Sequence, residues 1–213
     1  MKNYKLMLAF VLLGGATAFA QAPATDSSSG PGLIGKRYFG AGLTWEHFHS
    51  SRYTDAEGVS ALVNLPVAPG FDATLAYDFS HLMGPDYSRP EHVFGASMLA
   101  YSQDEYGKPF FTAGLTEVMQ RPRMDGVLTE HNDTAWTMGA GLESTFDDTL
   151  AVTYRIDYTD TFKSSPLNPT WKYTVQVNNW FTPTVGGVAA VSYNQIKHEP
   201  DSFLYTLGVR VRF

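Results

Sequence analysis

The feature that most constrains this chain is a two-residue alternation, cleanest over residues 203–213, FLYTLGVRVRF. Counting back from the C-terminus by twos, Phe213, Val211, Val209, Leu207, Tyr205 and Phe203 are apolar, while Arg212, Arg210, Gly208 and Thr206 lie between them. Side chains along a strand point alternately to opposite faces, so this stretch has one oily and one polar face. The same parity recurs in residues 39–47, 59–65, 71–80, 136–146, 150–159, 171–181 and 185–193. In 150–159, for example, Leu150, Val152, Tyr154, Ile156 and Tyr158 alternate with Ala151, Thr153, Arg155, Asp157 and Thr159. Residues 110–118 alternate with Phe111, Ala113 and Leu115 on the oily side. Residues 92–101 leave two facings open, with either Val93, Leu99 and Tyr101 or Phe94 and Met98 outward.

The connections alternate too. Compact turns at 66–70, 102–109, 147–149 and 182–184 take turns with polar loops at 49–58, 81–91, 119–133, 160–170 and 194–201. Aromatic residues mark both ends of the oily faces. Phe39, Phe71, Phe111, Phe146, Phe181 and Phe213 gather at the turn end, and Trp45, Phe79, Trp136, Tyr158, Trp171, Tyr193 and Phe203 at the loop end. Two aromatic girdles about 10 residues apart suit tilted strands crossing an apolar band of ~25 Å. A soluble sandwich would alternate without ringing both ends. Unpaired backbone is not tolerated in lipid, so the sheet must close. The expected fold is all-β, a closed antiparallel transmembrane β-barrel of about ten strands, with eight as the alternative count and both termini on one side.

Ahead of the barrel, Lys2 and Lys5 precede an apolar run at residues 6–13, and Ala18, Phe19 and Ala20 end it. That is the plan of a secretory signal peptide, expected over residues 1–20. Residues 21–35 are small, polar and Gly/Pro-rich, expected as a flexible segment before the barrel of 36–213. An exported chain with no Cys has no disulfide, thiolate metal site or Cys nucleophile. Its formal charge of -6, more negative without the two leader lysines, argues against nucleic acid as a partner. The mean hydropathy of -0.17 is no objection to a barrel, because each strand dilutes its oily face with a polar one.

A terminal Phe preceded by alternating apolar residues resembles the closing strand of Gram-negative outer-membrane β-barrels. Across the chain the architecture is similar to the small OmpA-like and opacity-type members of the porin-like superfamily. The resemblance implies the outer membrane of a Gram-negative bacterium. Outer-membrane lipid and lipopolysaccharide become the surroundings, and the barrel-assembly machinery the partner during insertion. It further implies that Tyr205, Leu207, Val209, Val211 and Phe213 form the membrane-insertion signal, that long loops face outward from the cell, and that an extracellular ligand would meet those loops.

Strand parity points Glu46, Asp72, Asp78, Glu143, Arg155, Asp157, Lys172, Arg210 and Arg212 into the lumen. Charges of both signs in a narrow interior need partners, so a salt-bridge and hydrogen-bond network filling the barrel is expected. The leading role is then structural or surface-interacting and non-enzymatic. The alternative is a narrow pore for small solutes or ions, with room made by lumen residues such as Gly40, Gly42, Gly139, Gly141, Gly186, Ala190 and Gly208. Third is a rim hydrolase or acyltransferase drawing on His47, Ser50, Asp78, Ser80, His81, Asp157, Asp160 or His198, although no local catalytic motif is present. No cofactor is expected. All six histidines, including His49, His92 and His131, map to the outer rim, where carboxylates accompany them. A rim of that composition raises metal binding or pH sensing, but it shows no tight ligand spacing.

Overall fold

The computed structural model describes residues 30–50, 55–84, 87–103, 107–124, 127–162 and 168–213. The expected signal peptide and residues 21–29 lie outside them. Ten long strands carry the fold: β1 (Tyr38–Phe48), β2 (Asp55–Ala68), β3 (Phe71–Gly84), β4 (Tyr87–Tyr101), β5 (Lys108–Gln120), β6 (His131–Thr145), β7 (Leu150–Thr161), β8 (Thr170–Trp180), β9 (Val185–Ile196) and β10 (Ser202–Arg212). Each pairs antiparallel with its neighbours in sequence, and β1 pairs with β10, so the sheet closes on itself. Ala41, for instance, faces Ala61 of β2 and Val209 of β10. The strand count is ten, not eight.

Parity behaves as the alternation demands. Leu43, Leu207 and Phe213 are each 68% exposed and Phe181 is 70% exposed, values that make sense only for a surface facing hydrocarbon. The open facing of β4 is settled by its neighbours. Phe94 and Met98 stand outward, and Tyr101 reaches in toward Gly35. β5 turns Phe111 and Leu115 out and buries Phe110 and Thr112.

At the loop end the strands run further than the alternation does. Residues 81–91, expected as a loop, are largely the paired ends of β3 and β4, and β6 starts at His131 instead of 136. Beyond the bilayer a ladder needs hydrogen bonds but no oily face, so its polar ends leave no periodic trace. A two-residue ribbon, Arg123–Met124 with Val127–Leu128, decorates the β5–β6 loop. In β2, Pro66 opposes Asp72 and Ala68 opposes Phe71, which leaves Val67 as a bulge where proline lacks a ladder donor.

The turn between β6 and β7 is closed by Asp147, whose Oδ1 accepts from the Thr149 amide at 2.7 Å and the Leu150 amide at 2.8 Å. Those bonds, the Thr149 amide first, hold its carboxyl below the ordinary aspartate range. A lowered carboxyl stabilises the fold above the unfolded value and stops doing so as pH falls through the folded one. The Asp147→Ala variant is therefore expected to be less stable at neutral pH, with the difference shrinking as the medium is acidified below the ordinary aspartate range. Unfolding titrations at neutral and at acid pH check this.

Candidate functional site

The charged lumen is organised in tiers, and the tier at the turn end is the most complete. There residues 30–36, ahead of β1, are docked. They enter the barrel mouth, and lumen side chains take up their backbone groups. The Leu33 amide donates to Glu143 Oε2 at 2.7 Å and the Ile34 amide to Oε1 at 3.3 Å. The Gly35 amide donates to Asp72 Oδ2 at 2.7 Å. The Pro31 carbonyl accepts from Trp180 Nε1 at 2.6 Å and Asn178 Nδ2 at 3.1 Å. Lys108 Nζ reaches the Ile34 carbonyl at 2.7 Å, Asn64 Nδ2 the Lys36 carbonyl at 2.9 Å, and Arg212 Nη2 the Gly30 carbonyl at 3.1 Å.

Apolar packing completes the latch. Leu33 is buried with Tyr38 and Trp180, and Leu62 packs against them. Trp180 in turn lies under the Arg212 guanidinium, 3.6 Å from ring centroid to Cζ. The glycines that read as flexible serve close approach. A Cβ on Gly32 would stand 2.1 Å from Glu143 Oε1, and Gly35 has φ +82° with Tyr101 Oη 2.7 Å from the same position. The expectation of a flexible segment to residue 35 therefore fails over residues 30–35. The signal in the sequence was Leu33-Ile34, an apolar pair inside a polar stretch, set between Gly32 and Gly35.

The middle tier holds the one direct charge pair among the nine predicted lumen residues. Arg155 Nε lies 2.6 Å from Asp157 Oδ2, and Arg155 Nη2 donates to Thr112 Oγ1 at 3.3 Å. Gly139 makes room for that pair, since a Cβ there would sit 2.0 Å from Asp157 Oδ1. Gly40 similarly admits Arg210 Nη1, which a Cβ would meet at 2.1 Å. At both positions the glycine's space is occupied by a charged side chain. The Gly139→Val variant is expected to displace Asp157 and to cost about 2–3 kcal/mol. Urea unfolding of the refolded barrel measures it.

At the loop end, Glu46 Oε1 accepts from Asn194 Nδ2 at 2.8 Å and from the Ser202 hydroxyl. Glu91 meets Gln120 and Arg89 on the far wall. Phe48, Ala56 and Leu82 form a buried apolar patch beside them, with Tyr87 against it. Asp78 is exposed within the lumen, and Lys172 acts on it electrostatically. All nine predicted lumen residues thus point inward. The expected web of mutual salt bridges is corrected in its turn-end half: Asp72, Glu143 and Arg212 bind backbone of the entering segment, and Arg210 lies over the Tyr38 ring at 5.8 Å. Parity fixes direction, but a polar backbone partner from another segment leaves no mark in it. Lys108 and Trp180 are the first and last residues of their strands, where the alternation gives no facing, and Asn64 and Asn178, inside theirs, carry no charge to single them out among the polar lumen residues.

The rim histidines face outward. His47 Nδ1 pairs with Asp55 Oδ1 at 2.7 Å, His81 Nε2 with the Ser88 hydroxyl at 2.7 Å, and His92 Nδ1 with the Tyr77 hydroxyl at 3.0 Å. The histidine that holds a carboxylate and the one that meets a serine are different, so among the described residues these histidines join no nucleophile, base and orienting carboxylate in one line. Among the described residues no three His, Asp or Glu side chains come together as a metal site.

A polar, charge-lined inside, an apolar outside bounded by aromatics and ten hydrogen-bonded strands with no free edge define a transmembrane β-barrel of the outer-membrane type. No protein-family model matches the chain, and no curated protein matches it. Solved structures of similar shape include Neisserial surface protein A, at 16% identity and TM-score 0.46, covering 83% of this chain and 97% of that one. The translocator domain of the autotransporter NalP from Neisseria meningitidis aligns at 11% identity and TM-score 0.49, covering 98% of each chain. Ail, the attachment invasion locus protein of Yersinia pestis, aligns at 11% identity and TM-score 0.45, covering 84% and 98%.

Proposed function

We propose that this protein is a non-enzymatic, non-conducting barrel of the Gram-negative outer membrane with a structural or surface role. Its turn end faces the periplasm and its loops face outward. The observation that carries the reading is the latch: Leu33 fills the periplasmic mouth between Tyr38 and Trp180, and backbone groups of residues 30–36 are held by the lumen wall. A channel in use would not have its mouth filled by its own chain. Tyr205, Leu207, Val209, Val211 and Phe213, all outward or at the chain end, form the surface that assembly machinery would read during insertion.

Single-channel recording in a planar bilayer tests the proposal. The refolded chain is expected to show no discrete conductance steps, and a chain beginning at Arg37 is expected to show them. Steps from the intact, correctly folded chain would move the protein into the pore class. A second reading is favoured by Asp78, which is exposed inside the lumen. It describes a narrow polar path that the latch constricts without sealing. Steps from the intact chain, altered in ion selectivity by Lys172→Glu, would select it.

A further inference from the structure

Outside the lumen, on the loop end of β7, β8, β9 and β10, the barrel carries a groove of about 510 Å³ lined by Tyr158, Asp160, Trp171, Gln195, Lys197 and Asp201. Register explains how it forms. Tyr158 pairs with Trp171 and Trp171 with Gln195, and the Asn194–Ser202 pairing sets Gln195 beside Asp201. Four adjacent strands therefore contribute one transverse rank of outward side chains. The rank nearer the bilayer centre is aromatic, with Tyr173 and Tyr193 rings at 6.2 Å and Tyr193 and Phe203 at 5.3 Å. The groove is thus the first polar surface above the aromatic girdle, at the depth of lipid headgroups.

Its chemistry is specific. Trp171 is 44% exposed and its ring lies 4.8 Å from that of Tyr158, giving an apolar floor. The Tyr158 hydroxyl donates to Asp160 Oδ2 at 3.0 Å, the Thr161 amide to Asp160 Oδ1 at 2.7 Å and the Tyr193 hydroxyl to Asp201 Oδ2, which fixes both carboxylates at the groove edge and leaves Asp201 Oδ1 toward the groove as the open acceptor. Gln195 adds an amide, and Lys197 is the single cation against two carboxylates. An aromatic floor takes the C–H face of a sugar ring, and fixed carboxylate and amide groups take its hydroxyls. The excess of negative charge disfavours a bare phosphate. We infer that this groove binds a hydroxyl-rich sugar of an outer-leaflet glycolipid, seated beside the barrel with its acyl chains along the aromatic face below.

The inference rests on the bilayer placement proposed above, so folding and insertion are checked separately for every variant by heat-modifiable mobility and by protease protection in vesicles. The folded barrel in detergent micelles is titrated with purified rough lipopolysaccharide or, in parallel, phosphatidylglycerol, and retained lipid is counted by native mass spectrometry. The parent is expected to retain one lipopolysaccharide in preference to phosphatidylglycerol. Trp171→Ala and Gln195→Ala are each expected to weaken retention about tenfold, and Phe79→Ala, in the same girdle across the barrel, to leave it unchanged. Equal retention of phosphatidylglycerol, or loss in Phe79→Ala matching that in Trp171→Ala, would overturn the site in favour of unspecific adsorption. Unchanged binding in both folded groove variants would overturn it as well. Equally tight binding of the deacylated core oligosaccharide would overturn the glycolipid as occupant and assign a soluble glycan.

Discussion

Replacing Glu143 with alanine is expected to lower the unfolding free energy of the barrel by about 3 kcal/mol, the cost of breaking a buried, hydrogen-bonded charge by removing one side of it. Glu143 is 1% exposed, and its two oxygens take the amides of Leu33 and Ile34. Without the carboxylate those donors lose their acceptor in a place water does not easily reach, and Lys108 keeps its charge beside them. The Glu143→Gln variant retains an acceptor and loses the charge, so about half the effect is expected. Trp180 reports on the event directly, since its Nε1 donates to the Pro31 carbonyl. Urea titration in lipid vesicles, followed by tryptophan emission, should show a shifted midpoint and a red-shifted native baseline in Glu143→Ala. An unchanged midpoint would mean that residues 30–36 do not dock.

The second large effect has the opposite sign. Lys36 is 7% exposed at the same mouth, and its Nζ has no hydrogen-bond partner among the described residues. Burial, followed by the nearby Arg212 and Lys108, pushes its ammonium down to about 8. A base lowered on folding is destabilising while both states carry the proton. Stability rises as pH climbs from the folded value toward the ordinary lysine value, because only the unfolded chain still holds the proton there. The Lys36→Met variant keeps the stem's packing and removes the charge. It is expected to be more stable than the parent by about 2 kcal/mol at pH 7, and the two should converge by about pH 10. Paired unfolding curves at the two pH values isolate this lysine, because titrating tyrosines affect both proteins alike. A variant less stable than its parent at pH 7 would show that Lys36 has a partner of its own.

The barrel was legible in the sequence because the bilayer enforces a rule on every residue it touches. Leu43, Leu207 and Val209 alternate with Thr44, Gly208 and Arg210 for one reason, and that reason acts identically in every strand. Where the rule stops applying, the reading stopped too. β4 carries Ala96 and Ala100 on its outer face and Val93 and Leu99 on its inner one, so hydrophobicity alone could not tell the sides apart. The outer strand ends, paired but beyond the lipid, looked like loops. The latch was hidden for a different reason. Gly-rich composition means either freedom or close approach, and only the positions of Glu143 and Tyr101 opposite Gly32 and Gly35 decide between them.

The latch draws its partners from β2, β3, β5, β6, β8 and β10, through Asn64, Asp72, Lys108, Glu143, Asn178, Trp180 and Arg212. These strands surround the whole circumference, and they come within reach of one short segment only when β1 has zipped onto β10. Residues 30–36 are thus the last of the described residues to find their places, and their docking certifies that the ring is complete. A half-built barrel, open at the β1–β10 seam, has nowhere to seat Leu33 and leaves residues 30–36 exposed, so an unfinished ring is marked by a segment that a finished one hides.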